Sequence, residues 1–259
     1  MLDAIEHLLR TLSYPAAAGL LFAENALIFV LALIAGQLLC RWSAACRVAP
    51  LPPPLSRREG GLALATVILN TVVTLVGLGL WRAGIIVLQR GGVLRALLDV
   101  VALLLIMDVA MYVLHRLAHF GPFFALVHRE HHRYEHPRPL TLFALHPLET
   151  LGFGGLWLVV LTLYPATWLG MALYLALNVV YGVIGHLGVE PLPVATLRIP
   201  IVKELTTSTF HAQHHRDRQH NFGFYTLFWD RLFGTLSPVY GRDFGQLPGQ
   251  GPPPAPVSA

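Results

Sequence analysis

Twelve of the 13 histidines of this 259-residue chain lie between His115 and His220, and eight of them form three tight groups. The first is His115-Arg116-Leu117-Ala118-His119, with imidazoles at i and i+4. The second is His128-Arg129-Glu130-His131-His132, and the third is His211-Ala212-Gln213-His214-His215. These two repeat the spacing i, i+3, i+4. On a helix such positions share a face, with Cβ atoms about 5–6 Å apart. Each group can therefore offer its rings to one metal or to two adjacent metals. A structural zinc usually takes four ligands, so eight imidazoles are too many for one ion and enough for two. Imidazole suits iron, zinc, copper and nickel, and ligand type alone leaves the metal open.

A lone histidine near a membrane boundary is more often solvated or capped than a ligand, and the repeated spacing is what separates the three boxes from that case. His136 and His220 read as loop residues, His7 as surface, and His146, just before Pro147, as a helix-start hydrogen bonder. Asp108 is a carboxylate inside an apolar stretch, which marks it for function. It stands seven residues before His115, two turns down the same face, where it is expected to accept from a ligand's other ring nitrogen. The competing expectation is a polar contact to Asn70 or Asn178. Tyr112 and Glu149 are candidates for similar support.

The elements that carry these residues are apolar. The chain is 55% hydrophobic and 12% charged, against about 25% charged in soluble domains, and its mean hydropathy is +0.59. Spans are expected over Ala16–Leu39, Leu62–Trp81, Ala96–Leu114, Leu148–Tyr164 and Trp168–Gly185, each near the length that crosses about 30 Å of hydrocarbon. The first is open to a tilted or re-entrant form, so the count is four to five. The opening Met1-Leu2-Asp3-Ala4-Ile5-Glu6 is acidic, unlike a signal peptide, and reads as an amphipathic helix lying on the membrane. Of the 18 Lys and Arg, 14 fall on the side of the histidine boxes and four on the other, which places the boxes in the cytoplasm. Two cysteines, Cys40 and Cys46, make no disulfide framework. The net charge of +4 is a weak argument for nucleic acid and fits membrane topology. A single membrane domain is expected: helix and spans over 1–95, the histidine-box region over 96–247, and a disordered Pro/Gly-rich tail over 248–259.

From Asp108 to Phe233 the chain resembles the fatty acid hydroxylase/sterol desaturase superfamily of membrane-bound histidine-box oxygenases. The resemblance rests on Asp108, Tyr112 and the first box, and on the second box followed by His146-Pro147-Leu148-Glu149. It is strongest from the third box through Asn221-Phe222-Gly223-Phe224-Tyr225 to Phe228-Trp229-Asp230-Arg231-Leu232-Phe233-Gly234-Thr235. It implies an all-α stem of transmembrane hairpins under a cytoplasmic helical cap. It also implies two iron ions, dioxygen as oxidant, and a lipid substrate. A further ligand is implied at the end of the last span, where His186 stands. Some relatives carry another histidine four residues on, and here that position is Glu190, leaving a carboxylate or a water to fill the place. Zinc can take iron's place in preparations, since it binds such sites more tightly.

Iron and dioxygen suit the oxidation of unactivated C–H bonds, with the protein supplying position and a dry cavity. No dinucleotide fingerprint, haem motif or iron–sulfur cysteine set is present in the sequence. Electrons are therefore expected from another protein, such as a ferredoxin- or cytochrome b5-like carrier with its reductase. The expected function is a di-iron lipid hydroxylase or desaturase. A metal-ion transporter is the alternative, disfavoured because transporters bind near the bilayer midplane. An intramembrane zinc protease needs His-Glu-x-x-His, an order the second box lacks.

Overall fold

The computed structural model describes residues 2–248, which are helical with no β-strand among them. The tail expected to be disordered lies outside the described residues from 249 onward.

Four helices are long and apolar enough to cross a membrane: α2 (Tyr14–Trp42), α3 (Arg57–Arg82), α4 (Val93–Ala118) and α7 (Trp168–Gly185). A short α1 (Leu2–Thr11) precedes them. The expected span at Leu148–Tyr164 is α6 (Pro147–Leu163). Its 17 residues rise about 25 Å, short of a full crossing. The helix starts are chemically marked. Ser56 accepts from Glu59 N at 3.0 Å to begin α3, and Thr167 accepts from Gly170 N at 3.1 Å to begin α7. His146 accepts from Leu148 N at 3.3 Å, ahead of Pro147 in the first turn of α6. His146 thus does the helix-start work expected of it.

The helices run alternately, so the ends of α2, α4 and α7 meet the starts of α3 and α6. Cys40 Sγ donates to Leu187 O at 3.2 Å there, and Arg58 grips Glu130 through two 2.6 Å bonds. Val48 N and Ala49 N both reach Gly188 O. Gly188 has φ +67, and a Cβ on it would lie 2.7 Å from Pro137 O, so only glycine fits. At the opposite end, Arg82 donates to the carbonyls of Leu9 and Leu12, and Arg90 pairs with Asp3 and Glu6. These contacts fasten α1, leaving Ile5 and Leu8 exposed. Asp99 is fully buried near the start of α4 and accepts from Arg95, Tyr164 OH and Thr167 N, which pins α4 to the α6–α7 turn.

Between the ends the helices pack through apolar faces. Leu103, Met107 and Met111 of α4 close on Tyr174 of α7. On α2, Leu27, Leu31, Ile34 and Leu38 remain exposed, as expected of a helix facing lipid.

Candidate metal centre

The last turn of α4 carries His115, and His119 caps that helix. One turn, α5 (Gly121–Phe123), reverses the chain. The second box does not lie on a regular helix, contrary to expectation. A π-helical turn covers Phe124–His128, with Arg129 N donating to Phe124 O at 2.7 Å, and a 3-10 turn covers His131–Arg133. The third box is on α8 (Ser208–Arg216), and His186 caps α7.

These elements bring nine histidines into two groups. His115, His119, His128, His132 and His214 each offer a nitrogen within 4.8 Å of the others, and so do His131, His186, His211 and His215. The box spacing sorts the rings. In the second box the i, i+4 pair His128 and His132 enters the first group while His131 enters the second. In the third box the pair His211 and His215 enters the second group and His214 the first. The second and third boxes therefore each serve both positions and tie them together, while the first box, His115 and His119, serves only the first group.

The protonation pattern fits a cation at each position. His115 Nδ1 donates to Phe222 O at 2.8 Å, His214 Nδ1 to His220 O at 2.7 Å, and His186 Nδ1 to Gly182 O at 2.7 Å. A carbonyl accepts only, so the Nδ1 of each neutral ring keeps its hydrogen and Nε2 presents a lone pair. Those lone pairs point at other imidazoles: His115 Nε2 to His128 Nε2 at 3.1 Å, His214 Nε2 to His132 Nε2 at 3.1 Å, and His186 Nε2 to His211 Nε2 at 3.0 Å. Converging lone pairs in a buried site are what a metal ion resolves. Burial also keeps the rings neutral. It lowers His119 to about 2, His132 to about 3 and His186 to about 4. Desolvation pushes His128, His131, His211, His214 and His215 well below the usual value, and neighbouring imidazoles add to it.

Three carboxylates frame the centre in unequal ways. Glu149, in the first turn of α6, lies with Oε1 2.6 Å from His128 Nδ1. Asp108 does not reach a ring. It accepts from Tyr225 N at 3.2 Å, Thr226 N at 3.1 Å, Thr226 Oγ1 and Trp229 Nε1 at 3.2 Å. Two turns down α4 it sits below the layer of imidazoles, level with the chain at 225–229; Asn70 and Asn178 are not among its partners. Glu190 likewise meets no imidazole. Its carboxylate accepts from Thr209 N at 2.9 Å, Thr209 Oγ1 at 2.7 Å and Leu192 N at 3.3 Å. It is held by the start of α8, where a negative charge meets unpaired backbone N–H groups, and stands outside both histidine groups.

Other residues gather around the loop after α8. Asp230, at 0% exposure, accepts from Phe222 N at 2.8 Å, Gly223 N at 2.7 Å and Thr235 Oγ1 at 2.7 Å. Gly223 has no room for a side chain, since a Cβ would come within 2.5 Å of Thr226 O. In the sequence Asp230 stands out only as part of the Phe228–Thr235 motif, and no residue type betrays a backbone carbonyl acceptor. His220 pairs with Asp217 at 2.7 Å, consistent with a loop position, while its own carbonyl serves His214. His7 is exposed and His136 half-buried. A narrow cleft reaches His186 and His211, lined by Tyr181, Gly185, Phe210 and Phe224.

The chain is 32% identical over 160 residues to a cholesterol 25-hydroxylase-like protein of Danio rerio, covering 60% of this chain and 62% of the relative. It is 34% identical over 166 residues to a very-long-chain aldehyde decarbonylase of Oryza sativa, covering 61% and 25%. It is 28% identical over 151 residues to a lathosterol oxidase of Mus musculus, covering 56% and 47%. The matched stretch thus spans less than two thirds of each relative's length. No solved structure matches the chain. The fatty acid hydroxylase family model matches residues 100–235, which hold all nine clustered histidines together with Asp108, Glu149 and Asp230. With the centre built from that stretch alone, the chain belongs to the fatty acid hydroxylase family.

Proposed function

We propose that this protein is a membrane-bound, dioxygen-dependent lipid hydroxylase or desaturase whose nine clustered histidines hold two iron ions. One observation carries the proposal: Nε2 lone pairs of His115, His214 and His186, fixed by carbonyl bonds at Nδ1, converge with the other rings in two buried groups. Two irons, when bound, supply the activation of dioxygen needed to attack an unactivated C–H bond.

The chain's own groups do the rest. His115, His119, His128, His132 and His214 form one ligand set, and His131, His186, His211 and His215 the other. Glu149 holds His128 in one orientation and tautomer, as carboxylates commonly do for metal-bound histidine. The cleft beside His186 and His211 holds only about 20 Å³, so a lipid reaches the four-histidine position there only by parting its walls. The relatives named for sterols support a lipid substrate.

Residues 96–247 form the catalytic unit and 1–95 its membrane support. The centre faces the cytoplasm, on the side with 14 of the 18 Lys and Arg. There it meets an external ferredoxin- or cytochrome b5-like donor. A transporter is not favoured, because both histidine groups lie at the helix ends rather than midway along them.

Comparative lipid mass spectrometry of cells with and without the gene tests this function. A product gaining one oxygen marks hydroxylation, and one losing two hydrogens marks desaturation. Identical lipid profiles at confirmed expression with intact electron supply contradict it.

A further inference from the structure

We infer that Asn221 is a positioning residue that sets the five-histidine half of the centre through the two carbonyls flanking it. The inference rests on the two-metal reading above and goes beyond it. His214 Nδ1 donates to His220 O at 2.7 Å, and His115 Nδ1 donates to Phe222 O at 2.8 Å. The two acceptors are two residues apart, with Asn221 between them. The two rings come from different elements, α8 and α4, and both belong to the same five-histidine group. One short loop therefore orients two ligands of one metal position.

Asn221 is built for this place. Its φ of +63 makes it the one non-glycine residue with left-handed backbone among the described residues. Asparagine tolerates that conformation better than most side chains. The side chain is fully buried and engaged at both ends of its amide. Nδ2 donates to Phe210 O at 2.9 Å and to Gln213 Oε1 at 3.3 Å, while Oδ1 accepts from Ser237 N at 2.7 Å. Its backbone N donates to Thr235 O at 2.8 Å. The loop is thus tied to α8 on one side and to the 235–237 segment on the other. Asp230 adds a second brace by accepting from Phe222 N and Gly223 N. No ring of the four-histidine group donates to a carbonyl of this loop: its carbonyl-held ring, His186, uses Gly182 O of its own helix, and the loop touches that group only through the backbone of α8.

Disturbing the loop should accordingly weaken one metal position and spare the other. Asn221→Gly keeps access to positive φ while deleting the amide clamp. Asp230→Asn keeps the side-chain shape and weakens the second brace. The protein is purified whole, stripped of metal and titrated with cobalt(II), with metal counted per chain and the visible ligand-field spectrum recorded. His214→Ala and His186→Ala serve as references for loss at the five- and four-histidine positions.

In the wild type two cobalt ions per chain are expected. In Asn221→Gly one of the two should bind about 10–100-fold more weakly. The spectrum at limiting cobalt should match that of His214→Ala and differ from that of His186→Ala. Asp230→Asn should show the same signature, which keeps the test decisive where Asn221→Gly does not fold. Two unchanged sites, or equal weakening of both, would overturn the role of Asn221. A wild type that binds no cobalt would instead overturn the two-metal reading itself.

Discussion

Glu149 Oε1 and His128 Nδ1 lie 2.6 Å apart with both side chains buried. One belongs to the first turn of α6 and the other to the π-helical turn beyond α4, so the bond joins a membrane helix to the second histidine box. A carboxylate here fixes the ring's orientation and raises its basicity toward a metal at Nε2. Glu149→Gln keeps the shape and removes the charge. Metal affinity or turnover should fall about 10–100-fold, with a much smaller change in thermal stability. Turnover and metal content equal to the wild type would reduce Glu149 to a packing residue.

Asp108 predicts the opposite balance. Its carboxylate takes four donors from Tyr225, Thr226 and Trp229 and none from an imidazole. Asp108→Asn turns an amide N–H₂ toward those donors and removes a charge that accepts them. The expected cost is roughly 2 kcal/mol or more of stability, from losing bonds to a charged group. Turnover per bound metal in the folded fraction should stay near normal. A normal melting temperature with turnover lost would return Asp108 to the support of a ligand's ring.

Acid should weaken the metal-free fold in a defined window. His186 is lowered to about 4 and His132 to about 3, chiefly by burial. Unfolded, both rings titrate near 6.5. Between those values the unfolded chain binds more protons than the folded one, so stability is complete above about 6.5 and declines as pH falls toward about 4. Melting temperatures of the stripped protein across pH 8 to 4 should show this slope, and a flat profile would mean that the rings are solvated.

Sidedness can be checked with a native thiol. Cys46 is free and exposed, and its carbonyl accepts from Glu190 N at the histidine end of the fold. A membrane-impermeant maleimide should label it only when the cytoplasmic face is accessible. Cys40 is less exposed and its Sγ donates to Leu187 O, which makes Cys40→Ala a suitable background. Labelling from the opposite compartment contradicts the orientation drawn from the Lys and Arg distribution.

The ligand candidates were legible in sequence because imidazole is a rare, chemically specific side chain and its spacing is printed in the chain. His115, His211 and the other box histidines needed no tertiary knowledge to be singled out, and the apolar runs announced α2, α3, α4 and α7. What orients the rings was not legible. Phe222 O and His220 O are backbone atoms that every residue possesses, so nothing marks them. The partners of Asp108 and Glu190 are hidden for a related reason. A buried carboxylate draws whatever donors are near, and which are near depends on how the 206–230 chain folds back onto α4 and α7. The i, i+3, i+4 spacing of the second box suggests one helical face, yet the box sits on a π turn and a 3-10 turn just after the short helix at Gly121–Phe123, which no local pattern specifies.

The metal content of the purified wild-type protein tests the central claim most directly. Elemental analysis should find about two iron or zinc ions per chain, and His131→Ala and His214→Ala, one from each histidine group, should each lower that number. A folded, active wild-type protein with no bound transition metal would contradict it.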